Sequence, residues 1–275
     1  MTPLLALVIL CAPGAFDAES YGLSVEPTAY SASGPACISA PAGLVRLESW
    51  ELGLIGWGHE EWVEEGGSTD LSVGAFAGGP LGGIFTGGGV YRGRMADTAD
   101  TTLATLCAAR VLTGDPVAFL EGFFGPSVSL GVRAGLRHIQ EEDLSFTGLE
   151  AAGNLQIAMF PTFCAGIGVE GSGLAGSGDP GFGPSSEVEF NYAFSYVFNR
   201  NLRGHLSGRE GEVAVGADLR LGPGVSVRTG SDWDSWSAGA RLSISRVNVD
   251  YGIRLTEQKA GHMISVGYRT GEWTW

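Results

Sequence analysis

The fold class is decided by the stretch Val247–Leu255, which reads Val-Asn-Val-Asp-Tyr-Gly-Ile-Arg-Leu. Its odd-numbered residues are all apolar or aromatic, and its even-numbered residues are polar, charged or glycine. A period of two places the two sets on opposite faces of a β-strand. Similar alternation appears at 211–221, 235–245 and 261–270, so the C-terminal third predicts consecutive strands with one apolar and one polar face.

The same rhythm can be followed through most of the chain. It predicts an all-β protein of about fourteen strands, near 48–58, 69–79, 83–92, 103–112, 127–140, 147–158, 162–171, 187–198, 201–208, 211–221, 223–230, 235–245, 247–256 and 261–270. Up-and-down barrels of outer membranes have an even number of antiparallel strands. The count therefore agrees with a transmembrane antiparallel barrel.

The connections between these strands alternate in length. Those near 78–80, 159–161 and 199–200 are short, whereas 59–68, 93–102, 141–146 and 172–186 are longer. Short turns on one rim and long loops on the other are typical of an outer-membrane barrel. The stretch 113–126 breaks the alternation and is interpreted either as an interfacial helix or as a strand whose bounds are drawn wrongly. A soluble barrel, with its apolar faces turned inward, stays open as the alternative.

Composition excludes several other classes. Of 275 residues, 44% are hydrophobic and 17% charged, which is too apolar for a disordered chain. The net charge is -14 and Lys259 is the only lysine, so nucleic acid is not an expected partner. The 45 glycines disfavour long helices, because glycine costs about 1 kcal/mol relative to alanine inside a helix.

The positions of the arginines predict which faces line the lumen. An arginine on the lipid face costs about 2–4 kcal/mol at mid-membrane, so arginines on polar strand faces are expected inside. If Arg220, Arg241 and Arg254 form the narrowest point, a weak preference for anions is expected. The predicted lumen-lining residues are Arg133, Arg137, Asp218, Arg220, Arg228, Arg241, Asp250, Arg254 and Arg269.

The N-terminus divides the chain into three parts. Leu4–Cys11 is an apolar run too short to span a membrane as a helix, and small residues follow it. This pattern predicts a signal peptide over 1–18, an N-terminal plug or lumenal segment over 19–46, and a barrel over 47–275. The expected location is the outer membrane of a Gram-negative-type bacterium, with outer-membrane lipid as the surrounding partner.

Motifs for catalysis and cofactors are weak. His59-Glu60-Glu61-Trp62-Val63 resembles a zinc-protease motif but has Val63 where the second histidine is required. The glycine pattern 171–176 is followed by Ser177–Gly181, which is a loop rather than the helix that a dinucleotide needs. We therefore expect no catalytic residues, no metal site and no cofactor.

Both ends of the chain resemble a known family. The segment Pro27–Leu44 contains Ala40-Pro41-Ala42-Gly43, which is similar to the Asn-Pro-Ala-Gly-like motif that precedes the first strand in FadL-type and PorV-type outer-membrane proteins. The runs Val249–Ile253 and Gly261–Arg269 are similar to the last hairpin of the PorV-like group. The resemblance implies a 14-stranded barrel whose N-terminal segment folds into or under the lumen, with Pro41, Ala42, Gly43 and Leu44 in the plug.

Two functions compete under this resemblance. One is a passive channel or uptake protein for small or hydrophobic solutes, and the other is a PorV-like scaffold that docks secretion-machinery or surface proteins. Enzymatic activity is not expected. Because export places the chain in an oxidising compartment, Cys37 in the plug is a candidate for a disulfide with Cys164 on the lumen wall. By alternation, Cys107 is predicted on the lipid side with Leu103 and Val111.

Overall fold

The computed structural model describes residues 35–61, 70–95, 99–116, 123–179, 182, 186–209, 211–257 and 259–271. The predicted signal peptide, and the part of the predicted plug before residue 35, lie outside the described residues. Among the described residues, no helix is long and apolar enough to cross a membrane.

All fourteen predicted strands are confirmed, and a short fifteenth strand was not predicted. The strands are β1 Glu51–Glu61, β2 Asp70–Leu81, β3 Ile84–Met95, β4 Ala99–Gly114, β5 Ser127–Glu141, β6 Leu144–Phe160, β7 Phe163–Ser172, β8 Gly176–Gly178, β9 Glu187–Asn199, β10 Leu202–Arg209, β11 Glu212–Gly222, β12 Val225–Ser231, β13 Trp236–Ile244, β14 Val247–Leu255 and β15 Lys259–Arg269. Ahead of them lie helix α1 (Ala36–Ser39) and the 3-10 helix Pro41–Arg46.

The sheet closes into a 14-stranded antiparallel barrel. Each strand pairs with its sequence neighbour, except that β7 pairs with β9 because β8 only extends the outer end of β6. The first and last barrel strands pair with each other, from Glu51 opposite Arg269 to Glu61 opposite Lys259. Closure satisfies the backbone groups that an open edge would leave unpaired, which a strand in lipid requires.

The two faces of the barrel differ in polarity. Along β5, buried residues such as Ser129 and Arg133 alternate with exposed apolar ones such as Leu130 and Val132. The outer face is apolar around the barrel, and Leu106 is 76% exposed there. An apolar exterior around a largely polar interior is the pattern of a transmembrane barrel, so the soluble alternative is wrong. This architecture places the protein in a bacterial outer membrane, with its outer face in lipid.

The two rims confirm the predicted asymmetry only in part. Five connections on the rim that carries the chain ends are two-residue turns, between β2 and β3, β6 and β7, β9 and β10, β11 and β12, and β13 and β14. In the turn between β2 and β3, Gly82 and Gly83 both have positive φ, as a two-residue type I′ turn requires. The expected long loop at 141–146 is wrong: β5 and β6 pair out to Glu141 and Leu144, which leaves only Glu142 and Asp143 in the turn.

The connection 115–126 lies on the short-turn rim, as predicted, and it is long. Residues 117–122, on which the interpretation as an interfacial helix rests, lie outside the described residues. At its end, the Phe124 backbone N–H donates to Pro161 O at 2.8 Å, and Phe124 packs with Ala158, Cys164 and Val197. The described end of this connection therefore packs at the rim against β6, β7 and β9.

Candidate functional site: a lumen that holds an internal segment

Residues 35–47, called here the internal segment, lie against the inner wall of β2–β6. The segment is rich in small residues and proline, and its two helices are only four and six residues long. Ile38, Leu44, Val45 and Leu47 are each at most 2% exposed. Burying one such side chain contributes about 1.5–3 kcal/mol, so these four side chains hold the segment strongly to the wall.

The wall is shaped to receive the segment. A Cβ atom at Gly131 of β5 would lie 2.1 Å from the Ala42 backbone nitrogen, and one at Gly89 of β3 would lie 2.6 Å from the Ile38 Cδ1 atom. No real Cβ approaches that closely, so glycine at 131 allows the backbone of the segment to sit this near β5, and glycine at 89 leaves room for the Ile38 side chain. Sequence analysis did not identify these two glycines, because the chain has many glycines and the sequence does not show which of them contact the segment.

Polar contacts fix the segment at several points. The Ala42 backbone N–H donates to Asn154 Oδ1 at 2.9 Å, and an Arg133 Nη1–H donates to the Ile38 carbonyl oxygen. At the end of the segment, Arg46 donates to Cys164 Sγ at 3.1 Å, and its guanidinium lies 5.1 Å from the centre of the Phe124 ring. These contacts tie the segment to β5, β6, β7 and the 115–126 connection.

One part of the lumen wall is apolar. Here the internal segment packs on inward-facing apolar residues of four strands, and we call this group of residues the apolar cluster. Its wall residues are Ile55 of β1, Phe76 of β2, Cys107 and Ala109 of β4, and Met263 of β15. Cys107 is only 6% exposed and Leu103 only 2%, so their predicted position on the lipid side is wrong. The face of β4 that carries them turns inward because the segment provides an apolar partner inside the barrel.

The rest of the wall is lined by paired charges. Arg133 pairs with Glu170, Arg137 with Glu150, Arg254 with Asp232, and Arg269 with Glu51. A buried arginine without a partner is strongly unfavourable, so each carboxylate stabilises its guanidinium. Carboxylates therefore offset part of the arginine charge on the lumen wall, and the expected weak preference for anions stays a prediction. Glu51 and Glu150 were not among the predicted lumen residues, although Glu150 lies four positions before Asn154 and therefore on the same face of β6.

Four polar residues on β12–β14 form a compact group, called here the polar cluster. Arg228 Nη2 and Arg241 Nε both lie 2.8 Å from Asp250 Oδ1, and Asn248 Nδ2 donates to Asp250 Oδ2 at 2.9 Å. The alternation that placed Arg228, Arg241 and Asp250 on polar faces could not show that they touch. Adjacent-strand register brings them together, since Arg241 lies directly opposite Asp250.

The remaining predicted lumen residues, Asp218 and Arg220, lie half-buried on β11. Asp218 faces Arg203 of β10 and Arg228 of β12 in register, and Arg220 faces Ser226. Sequence analysis also did not find the buried pair of Ser195 and His205, whose Oγ and Nδ1 atoms are 2.9 Å apart on β9 and β10. Among the described residues, no group of three or more His, Cys, Asp or Glu side chains is placed to hold a metal ion.

The predicted Cys37–Cys164 disulfide is not formed. Both residues are free thiols, and each has a different neighbour. Cys37 Sγ donates to Gly88 O at 3.4 Å near β3, whereas Cys164 lies on β7 and accepts from Arg46. β4, β5 and β6 separate these two strands. Strands are about 4.8 Å apart, and a disulfide requires Cα atoms within about 7 Å, so this pairing does not fit the fold.

Comparison with solved structures identifies the architecture. No known protein-family profile matches the chain, and no curated protein matches it in sequence. The chain is similar to the CymD monoaromatic hydrocarbon channel, with a TM-score of 0.67 and 12% identity over 96% of this chain and 99% of that one. This barrel has the FadL-type fold.

Two further structures agree with that conclusion. A Pseudomonas aeruginosa FadL homologue has a TM-score of 0.61 and 9% identity over 93% of this chain and 98% of its own. The P. putida toluene transporter TodX has a TM-score of 0.58 and 10% identity over 92% and 99%. At these identities the likeness shows the fold alone. The predicted FadL-type resemblance is confirmed at that level, and the PorV-type resemblance is not.

Asn154 offers a direct test of how the internal segment is held. Asn154→Ala removes the acceptor of the buried Ala42 N–H, and an unpaired buried donor costs about 1–3 kcal/mol. We expect hydrogen exchange of the peptide 36–47 to become faster by about one to two orders of magnitude, since that free energy lowers the cost of local opening. Mass spectrometry of the folded barrel in detergent measures it.

The matched control for this test is Gln140→Ala, which removes an amide from the exposed face of β5. It leaves every contact of the internal segment in place. Equal exchange in the two variants and in the wild type would contradict a holding role for Asn154.

Proposed function

We propose that the chain is a passive outer-membrane channel for small hydrophobic molecules, with residues 35–47 acting as an internal plug. The observation that carries the proposal is the apolar cluster: part of the lumen wall is apolar and the internal segment covers it. A water-filled pore for polar solutes is lined mainly by polar side chains. When the segment moves, that wall offers a hydrophobic path along β1, β2, β4 and β15.

The charges of the lumen agree with this proposal. Arginines and carboxylates on the inner wall are largely paired, so they hold each other in place rather than presenting one sign of charge to an ion. Apolar pockets that fix a ligand with few polar groups are typical of sites for small hydrophobic molecules. We therefore infer a solute that is uncharged and apolar.

The similar structures support the same class of solute. Two of the proteins with this fold are named for monoaromatic hydrocarbons and for toluene. At about one residue in ten identical, that likeness selects which solutes to test first and does not by itself assign one. The PorV-like docking scaffold has no support from the comparisons, and we do not propose it.

Uptake by whole cells tests the proposed function. Cells with no hydrocarbon channel of their own would express the barrel, and the initial uptake of radiolabelled toluene and of a labelled disaccharide would be measured against empty vector. We expect toluene uptake to rise several-fold and disaccharide uptake to stay unchanged. Equal rises for both solutes, or no rise for toluene, would contradict the proposal.

A pair of variants at Met263 tests the route. Met263 is 4% exposed in the apolar cluster, so Met263→Gln places an amide on the proposed path at similar volume. Met263→Leu keeps the surface apolar and is the matched control. We expect Met263→Gln alone to slow toluene uptake, with both variants folded by their mobility on unheated gels. Equal uptake by both would contradict this route.

A further inference from the structure

Two thiols from different parts of the chain meet inside the barrel. Cys37 lies in α1 of the internal segment and Cys107 lies in β4, and both belong to the apolar cluster. A side-chain hydrogen bond with Cys107 raises the pKa of the Cys37 thiol well above its ordinary value, and burial raises it further. The contact joins a residue of the segment to a residue of the wall seventy positions later in the chain.

The local backbone shows how close the two residues are. Cys107 lies directly opposite Gly87 in the register of β3 and β4. Opposed residues in an antiparallel pair have Cα atoms about 4.5–5.5 Å apart and point to the same face. A Cβ atom at Gly87 would lie 2.9 Å from the Cys37 Cβ atom, so Cys37 occupies the space beside Cys107 that the glycine leaves empty. The two cysteine side chains are therefore neighbours in the apolar cluster, and their thiols contact each other through the side-chain hydrogen bond. A disulfide between them needs Cβ atoms about 3.5–4.5 Å apart.

We propose that Cys37 and Cys107 form an intramolecular disulfide that ties the internal segment to the barrel wall. The bond forms by thiol–disulfide exchange with a disulfide-bearing oxidant of the bacterial periplasm, either a protein or a small molecule. The thiolate of one cysteine attacks that disulfide and forms a mixed disulfide with the oxidant. The thiolate of the other cysteine then attacks the mixed disulfide and releases the oxidant. One sulfur–sulfur bond forms in the barrel, one breaks in the oxidant, and the oxidant leaves as two thiols that carry the two protons.

The timing of the exchange follows from burial. A thiol attacks as its thiolate, and the raised pKa of Cys37 keeps that form scarce in the closed barrel. An oxidant also has little access, because Cys37 has no exposed surface. The bond is therefore acquired before the segment seats, or whenever it leaves the wall.

The consequence for transport rests on the proposed function. A disulfide at Cys37 restrains the first half of the segment, while residues after Pro41 keep only their non-covalent contacts. The channel then opens by movement of the 3-10 helix Pro41–Arg46, with α1 held beside β3 and β4. Reduction of the bond leaves the entire segment held by non-covalent contacts alone.

Peptide mapping tests the bond without reference to transport. Protein exported to the outer membrane would be denatured without reductant, treated with N-ethylmaleimide, digested and analysed by mass spectrometry. We expect a cross-linked pair of peptides containing Cys37 and Cys107, with an alkylated Cys164. Cys164→Ser should leave the cross-link intact, and Cys107→Ser should leave Cys37 alkylated. Full alkylation of Cys37 and Cys107 in the unreduced wild type, or a Cys37–Cys164 cross-link, would overturn the proposal.

Toluene uptake with and without a membrane-impermeant reductant separates the two proposals. If the bond is present and reduction raises uptake by the wild type but not by Cys107→Ser, both proposals are supported. If the bond is present and the protein carries no toluene in either state, the disulfide stands and the channel function fails. If the bond is absent while uptake occurs, the disulfide fails and the channel function stands.

Discussion

Gly131→Leu is expected to open the lumen that, as we propose, residues 35–47 plug, and to make the barrel conduct. A Cβ atom at this position would lie 2.1 Å from the Ala42 nitrogen, 2.5 Å from the Pro41 carbonyl carbon and 2.8 Å from the Ala42 Cα atom. All three are backbone atoms, so no side-chain rotation relieves the contact and the internal segment has to leave the wall. Side chains alone fill a barrel of about eight strands, whereas barrels of about sixteen contain an aqueous channel, so a 14-stranded barrel without its segment has room for ions.

Planar bilayer recordings in the presence of reductant measure this effect. We expect few or no conductance steps from the wild type and frequent, discrete steps from Gly131→Leu. Gly153→Leu is the matched control: it lies on the next strand, and its nearest neighbour would be 3.8 Å from an added Cβ. Conductance that is the same in both variants, with both folded on unheated gels, would show that the segment does not close the lumen.

Asp250→Asn is expected to destabilise the barrel by about 3–5 kcal/mol, because it removes the carboxylate that pairs with the buried Arg228 and the half-buried Arg241. Asp250 is 3% exposed, and the Arg228 side chain has no exposed surface. Asparagine has the same shape as aspartate, so the loss reports the charge rather than a cavity. Urea titration of the refolded barrel, followed by the gel mobility of folded and unfolded forms, measures the change in free energy of unfolding.

Two further variants test that explanation. Asp143→Asn removes a carboxylate from the exposed β5–β6 turn and is expected to change stability by less than about 0.5 kcal/mol. Adding Arg228→Gln to Asp250→Asn removes the buried guanidinium that lost its carboxylate and should restore part of the lost stability. If the double variant is less stable than Asp250→Asn by the full effect of Arg228→Gln alone, the two residues do not act together.

The strands of the barrel could be predicted from the sequence because each is defined by its own local pattern. Val247–Leu255 alternates between apolar and polar residues and forms β14 at the same residues. The side chains of a strand alternate between its two faces, so the period of the sequence is also the period of exposure. The outer turn at Glu142 and Asp143 could not be predicted in this way. Three consecutive acidic residues indicate a loop, but where the β5–β6 ladder ends is set by pairing between strands.

The direction of β4 shows a second limit of local pattern. Thr101, Leu103, Thr105 and Cys107 share one face, while Thr102, Ala104 and Leu106 share the other, so polarity does not separate the two. The internal segment decides the matter, because it provides an apolar partner for Cys107 and Ala109 inside the barrel. A partner that comes from another part of the chain is not visible in the period of a single strand.

The sequence alone determined the all-β class, the number of barrel strands, the polar faces that carry the arginines and the presence of an unusual segment before the first strand. These properties depend on the order of residues within about ten positions. Only the tertiary structure decided which cysteines meet, which carboxylates accompany the arginines, and where the glycine-lined surface receives the segment. Those properties depend on strand register and on barrel closure, which bring together residues such as Glu51 and Arg269 from opposite ends of the chain.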